Sequence, residues 1–123
     1  MGAVRILVVD DHQAVRAGIC LALARHSGWE VCGQAVDGWD AIEKAKSLRP
    51  DVIVLDVRMP NLDGLEAAPL IKKELPESAI LIVSEQDPEL VLDKAIQAGA
   101  CGFVSKFDAY RQLVPALERV LQR

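Results

Sequence analysis

The sequence lacks any apolar run near the roughly 20 residues that a membrane-spanning helix needs. It also lacks a basic stretch followed by a longer apolar segment at its start, Met1-Gly2-Ala3-Val4-Arg5-Ile6, so it does not read as a secreted chain. A cytoplasmic location is expected. There is no surplus of positive charge: the net charge is -4. Phosphate contacts need a basic face, so any DNA contact has to come from elsewhere. Cysteine is scarce and unpatterned. Cys20, Cys32 and Cys101 sit among apolar or small residues without CxxC or Cys/His spacing, which points to buried reduced thiols rather than disulfides or a metal site. What is present is globular: 123 residues, 51% hydrophobic and 26% charged, enough for a single domain with one buried core.

The apolar residues come in short runs that stop abruptly at polar ones. Val4 to Val9 ends in Asp10-Asp11-His12, Val52 to Leu55 in Asp56, Ala79 to Val83 in Ser84, and Gly102 to Val104 in Ser105-Lys106; Val31 to Val36 is a weaker run of the same kind. Between them lie helical patterns. Ala14 to Arg25 carries Val15, Ile19 and Leu23; Trp39 to Leu48 carries Ile42 and Ala45; Leu65 to Leu75 carries Ala68, Ile71 and Leu75; Glu89 to Ala98 carries Leu92, Ala95 and Ile96. The last helix has the stripe Tyr110, Leu113, Val114, Leu117, Val120 and Leu121. Pro69 and Pro115 fall inside helical stretches, where each removes a backbone hydrogen bond, and bends are expected there.

Five strand-helix units with short connections imply a parallel sheet covered on both faces. The expected fold is α/β, a single doubly wound (βα)5 domain with strand order 2-1-3-4-5, flavodoxin-like. The winding then reverses between strands 1 and 3, so Asp10, Asp11 and Asp56 flank the crevice, with Ser84 and Lys106 next along the same rim. Each residue has an ordinary alternative. Asp11 or Ser84 can cap the helix that follows, Lys106 can be a solvated loop lysine, and Asp56 can open a turn. The coincidence of all of them at one edge weighs against those readings.

Three ionised carboxylates at close range repel by about 4 kcal/mol per pair at an intermediate dielectric. An all-oxygen site of two or three acids suits Mg²⁺, which keeps waters and takes further ligands from phosphate. His12 reads as a solvated turn residue beside it. The chemistry that follows is phosphoryl transfer with Asp56 as nucleophile, forming an aspartyl phosphate, while Lys106 and Ser84 contact phosphoryl oxygens. Dinucleotide binding is disfavoured, because the first strand ends in acids rather than in a glycine-rich turn.

The set Asp10-Asp11, Asp56 followed by Met59-Pro60 and Asp63-Gly64, then Ser84, Phe103 and Lys106, resembles the receiver domain of two-component response regulators over the whole chain. Asp10-Asp11-His12-Gln13-Ala14-Val15-Arg16-Ala17-Gly18, Asp37-Gly38 and Ala98-Gly99-Ala100-Cys101-Gly102-Phe103 look like the LuxR/NarL-type subfamily. The resemblance implies that Asp56 takes a phosphoryl group from a sensor histidine kinase or a small donor such as acetyl phosphate. It implies Mg²⁺ held by Asp11, Asp56 and the Arg58 carbonyl, with Asp10 acting mainly through water. Ser84 and Phe103 would be the switch, remodelling the surface of the fourth helix, fifth strand and fifth helix, through which a homodimer is plausible. A C-terminal helix-turn-helix output domain that regulates transcription is expected beyond Arg123, a stand-alone receiver being the alternative, and the domain itself is expected to be a phosphoacceptor with slow autodephosphorylation rather than a turnover enzyme. Phe103 as an ordinary core aromatic is the alternative to its switch role.

Four positions depart from or tune that pattern. Glu85 follows the hydroxyl where the family usually has a small residue, and its carboxylate would crowd Phe103 or repel phosphate. This keeps open a second reading, a constitutive interaction module that is never phosphorylated. Phe107 follows Lys106 where many receivers have a cis proline; a cis bond before a non-proline costs about 2.5 to 4 kcal/mol, so trans is expected. By the same resemblance, Arg58 and Gln86 border the path of hydrolytic water.

Overall fold

In the computed structural model, which describes residues 2–106 and 109–122, five strands and five helices alternate. They are β1 (Val4–Val9), α1 (Gln13–Ala24), β2 (Trp29–Ala35), α2 (Gly38–Leu48), β3 (Val52–Asp56), α3 (Gly64–Glu74), β4 (Ala79–Ser84), α4 (Pro88–Gln97), β5 (Gly102–Ser105) and α5 (Ala109–Leu121). The sheet is parallel throughout in the order β2-β1-β3-β4-β5, as the sequence implied. The Lys106–Phe107 bond and the Tyr110 side chain lie outside the described residues.

The sheet separates two apolar layers because side chains alternate along each strand. Leu7, Val9, Ile53, Leu55, Ile80 and Ile82 face α2, α3 and α4, meeting Ala41, Ala45, Ala67, Ile71, Val91 and Ala95. Ile6, Val8, Val52, Val54, Leu81 and Val83 face α1 and α5, meeting Ile19, Leu23, Leu113 and Leu117. β3 is buried along its whole length, which is why its sequence is a continuous apolar run rather than an alternating one.

Two details differ from the sequence expectation. The inward edge of α4 is Val91 and Ala95, while Leu92 and Ile96 are 41% and 60% exposed. Two overlapping i,i+4 pairs satisfy the same periodicity, and α4 covers only a strip of sheet near its edge. The helices α3 and α5 continue past Pro69 and Pro115, both on solvent-facing positions where water can satisfy the carbonyl each proline leaves unpaired. The three thiols are free but only partly buried. Among the described residues, no helix is long and apolar enough to cross a membrane.

Two glycines hold the loops against the sheet edge. A Cβ on Gly64 would lie 2.0 Å from the Asp56 carbonyl oxygen, and one on Gly38 would lie 2.4 Å from the Leu62 carbonyl oxygen. The first helical residue of α3 thus packs directly on the end of β3. Its amide donates to the Val57 carbonyl at 2.8 Å.

Candidate functional site

The strand register assembles the site. Val9 lies opposite Leu55, Leu55 opposite Ile82, Asp56 opposite Val83, and Ser84 opposite Ser105. Four strands therefore end at nearly one level, and Asp10, Asp56, Ser84 and Lys106 arrive together at the C-terminal edge.

The ordinary alternatives do not hold for these residues. The N-cap of α1 is His12, with no side-chain capping bond, so Asp11 is not spent on the helix. Asp87 caps α4, its carboxylate accepting from the Glu89 amide at 3.0 Å. The Lys106 side chain is only 7% exposed, and its ammonium lies 2.9 Å from Asp10 Oδ2 and 3.1 Å from Asp56 Oδ2. Asp10, Asp56 and Ser84 are buried. Ser84 Oγ accepts from the Gln86 amide at 3.0 Å, which leaves its own proton free to be donated.

Burying two carboxylates against one ammonium is electrostatically unbalanced. The Asp56 carboxyl is pushed up to about 6, first by burial and then by the charge of Asp10, against the downward pull of Lys106. Burial alone would lower the Lys106 ammonium, but its contacts with Asp10 and Asp56 outweigh that and raise it.

Asp10, Asp11, His12 and Asp56 each offer a ligand atom, all within 4.8 Å of one another. Asp11 Oδ1 is buried without a hydrogen-bond partner among the described residues. A carboxylate oxygen without a hydrogen bond, beside two further acids, suits a hard divalent cation, and the oxygen-dominated donor set fits Mg²⁺. His12 is closer to the acids than a solvated turn residue need be. Its Nδ1 lies 3.2 Å from Asp11 Oδ1 and 3.5 Å from Asp10 Oδ1, although the side chain is 62% exposed. Adjacency to the acid pair was its only sequence signal.

Asp11, His12, Asp56, Arg58, Glu85 and Lys106 line a cavity of about 230 Å³. Arg58 and Asp11 also border a wider cleft of about 660 Å³ that extends past Met59 and Gln86 to Lys94 on α4. Arg58 and Glu85 are thus at the mouth of the site, and both are solvent-exposed. Phe103 is elsewhere. It is partly buried on β5 opposite Ile82, against the layer that contains Val91 and Ala95, and the structure does not bring it into the acid cluster.

The loop between β3 and α3 is held independently of the site. Asn61 adopts a left-handed backbone (φ 69°) and its side-chain amide donates to Asp37 at 2.8 Å. Asp63 and Glu66 form a reciprocal capping box at the start of α3. Neither tie was foreseen: Asn61–Asp37 joins residues 24 apart, whereas Asp63-x-x-Glu66 is a local capping signature that the sequence does carry.

The chain is 38% identical over 117 residues to the response regulator GacA of Pseudomonas viridiflava, covering 95% of this chain and 55% of that protein. It spans about half the length of the curated relatives it matches. A two-component response regulator of the LuxR family from Aurantimonas sp. SI85-9A1 superposes with a TM-score of 0.93 at 33% identity, over 98% of this chain and 86% of that one. The signal receiver domain of a NarL response regulator from Mycobacterium tuberculosis gives 0.91 at 36% identity, over 99% and 98%. The family model described as the response regulator receiver domain matches residues 6–118, and with the acid cluster, hydroxyl and lysine on the strand ends this chain belongs to that family.

Proposed function

We propose that Asp56 is the phosphoryl acceptor of a two-component signalling protein. A carboxylate oxygen of Asp56 attacks phosphorus in line. The new O–P bond forms as the P–N bond of a kinase phosphohistidine breaks, and the leaving imidazole takes up a proton; with acetyl phosphate, the P–O bond breaks and acetate departs. The observation that carries this reading is the buried Lys106 bridging Asp10 and Asp56 at 2.9 and 3.1 Å. Its ammonium is positioned to follow charge onto a phosphoryl oxygen, and the free Ser84 hydroxyl can donate to another. Mg²⁺ would be held by Asp11, Asp56 and the Arg58 carbonyl, with Asp10 acting mainly through water, and would neutralise the incoming phosphate. Slow hydrolysis of the aspartyl phosphate then resets the domain.

Phosphorylation would draw Ser84 towards the new group and let Phe103 move. This biases the surface of α4, β5 and α5 between two states that bind the phosphoryl group differently. Exposed Leu90, Leu92 and Ile96 make that surface fit for a partner or a second copy. The chain spans 55% of the length of a response-regulator relative, and a separate DNA-binding domain in a longer protein would carry the output, because the net charge of -4 disfavours phosphate contacts by this one.

One observation favours the second reading, a constitutive interaction module. Glu85 lines the same cavity as Asp56 and Lys106, and its negative charge would oppose an incoming phosphate there. Incubation with Mg²⁺ and acetyl phosphate followed by intact-mass measurement separates the two. One added phosphoryl on wild type and none on Asp56→Ala supports the acceptor reading; no addition to wild type supports the module.

A further inference from the structure

We propose that Arg16 and Gln34, which lie outside the acid cluster, form a clamp that positions Asp10 and thereby sets the affinity of the cluster for its cation. The proposal rests on the phosphoacceptor reading above. Asp10 follows the last residue of β1, where the ladder with β3 has ended at the pair Val9–Leu55. Its amide donates to the Ala35 carbonyl of β2 at 3.1 Å. Its carbonyl accepts from Arg16 Nη1 at 2.8 Å. Arg16 Nε donates at the same time to Gln34 Oε1 at 2.8 Å, and Gln34 lies in β2 opposite Val8. One side chain on α1 therefore ties the ends of β1 and β2 together.

The clamp also closes the turn that carries the acids. The Arg16 amide donates to the His12 carbonyl at 2.9 Å, and the His12 amide donates to Asp10 Oδ1 at 2.8 Å. Residues 10 to 12 are therefore gripped by Arg16 through both its main chain and its guanidinium. Any rotation of the Asp10 peptide moves both carboxylate oxygens, one on the His12 amide and the other 2.9 Å from Lys106 Nζ. Both acceptors of the guanidinium are neutral, so the side chain is used for its rigid fork rather than for a charge pair. Partners that orient a metal-binding group without touching the metal commonly change affinity by about 10- to 100-fold when lost.

Calorimetric titration of the metal-free protein with Mg²⁺ tests this. Arg16→Met should weaken binding about 10-fold or more, within the range for lost outer partners, and Gln34→Leu, which leaves the Arg16 contact with the Asp10 carbonyl in place, by about 3-fold, below that range. Gln34→Glu keeps the acceptor and should bind like wild type, and the Arg16→Met/Gln34→Leu pair should be no worse than Arg16→Met alone. In the absence of metal, the His12 amide should lose hydrogen-exchange protection in Arg16→Met while those of Ile53 and Leu55 keep theirs. A tether with a merely structural role predicts the reverse, general loss of protection with Mg²⁺ affinity intact, and that result overturns the clamp. If Arg16→Met does not fold, unchanged affinity in Gln34→Leu overturns it equally. Wild type that takes no Mg²⁺ and no phosphoryl group overturns the acceptor reading and the clamp together, whereas a wild type that takes both, matched by its variants, overturns the clamp alone.

Discussion

Asp56 carries a cost in the metal-free protein that its chemistry explains. Its carboxyl rises from the ordinary 3.8 to about 6 because it is buried beside Asp10. The folded state then holds a proton that the unfolded chain releases, so this residue makes stability fall as pH climbs from about 4 to 6 and stay low above that. Asp56→Asn should therefore stabilise the metal-free protein at pH 7.5 by up to about 3 kcal/mol, and the gain should vanish near pH 4. Urea unfolding across that range checks the sign; a gain that grows on acidification contradicts it. Glu85, at the mouth of the same cavity, should act on rate rather than stability. Glu85→Ala removes a repelling charge from the path of an anionic donor, and phosphorylation by acetyl phosphate should quicken about three- to tenfold at low salt, less at high salt, measured by mass against time.

At the scale of elements, the ends of strands matter more than their middles. Gly64 brings the start of α3 onto the Asp56 carbonyl, leaving no room for a side chain at 2.0 Å. Gly64→Ala has to push α3 or the β3–α3 loop away, and should cost at least about 2 kcal/mol in thermal or urea unfolding. Asp63→Ala, which removes only the capping box, should cost about 1 kcal/mol. The acid-ended strands were legible because β3 and β4 are buried along nearly all their length, so apolar runs stop where the layers stop. β2 was less so. It begins at Trp29 and its register with β1 shifts between Ile6 and Leu7, opposite Val31 and Gly33, which breaks the alternation that periodicity relies on. The buried face of α4 was read only in part, at Ala95, for a related reason. Val91/Ala95 and Leu92/Ile96 are equally good helical pairs, and only contact with the sheet decides between them.

For the molecule as a whole, the doubly wound sheet converts sequence order into a site. Asp10 and Asp56 are 46 positions apart in sequence, and Lys106 is another 50, yet the order β2-β1-β3-β4-β5 sets β1 beside β3 and leaves only β4 between β3 and β5. The acids, hydroxyl and lysine could be foreseen from that topology. The Arg16–Gln34 and Asn61–Asp37 ties could not, since they join loops and strand ends whose distances only the folded chain defines. A cation that binds the folded cluster and not the open chain stabilises the whole domain. At about 100 times its dissociation constant, Mg²⁺ should add about 2.7 kcal/mol, reversed by chelation and largely lost in Asp11→Asn. The most direct test of the central claim locates the phosphoryl group itself. After incubation with Mg²⁺ and acetyl phosphate, borohydride reduction converts an aspartyl phosphate to homoserine, and peptide mass mapping finds where. Homoserine at position 56 alone is the expected result; homoserine at position 10, 11 or 63, or nowhere, contradicts it.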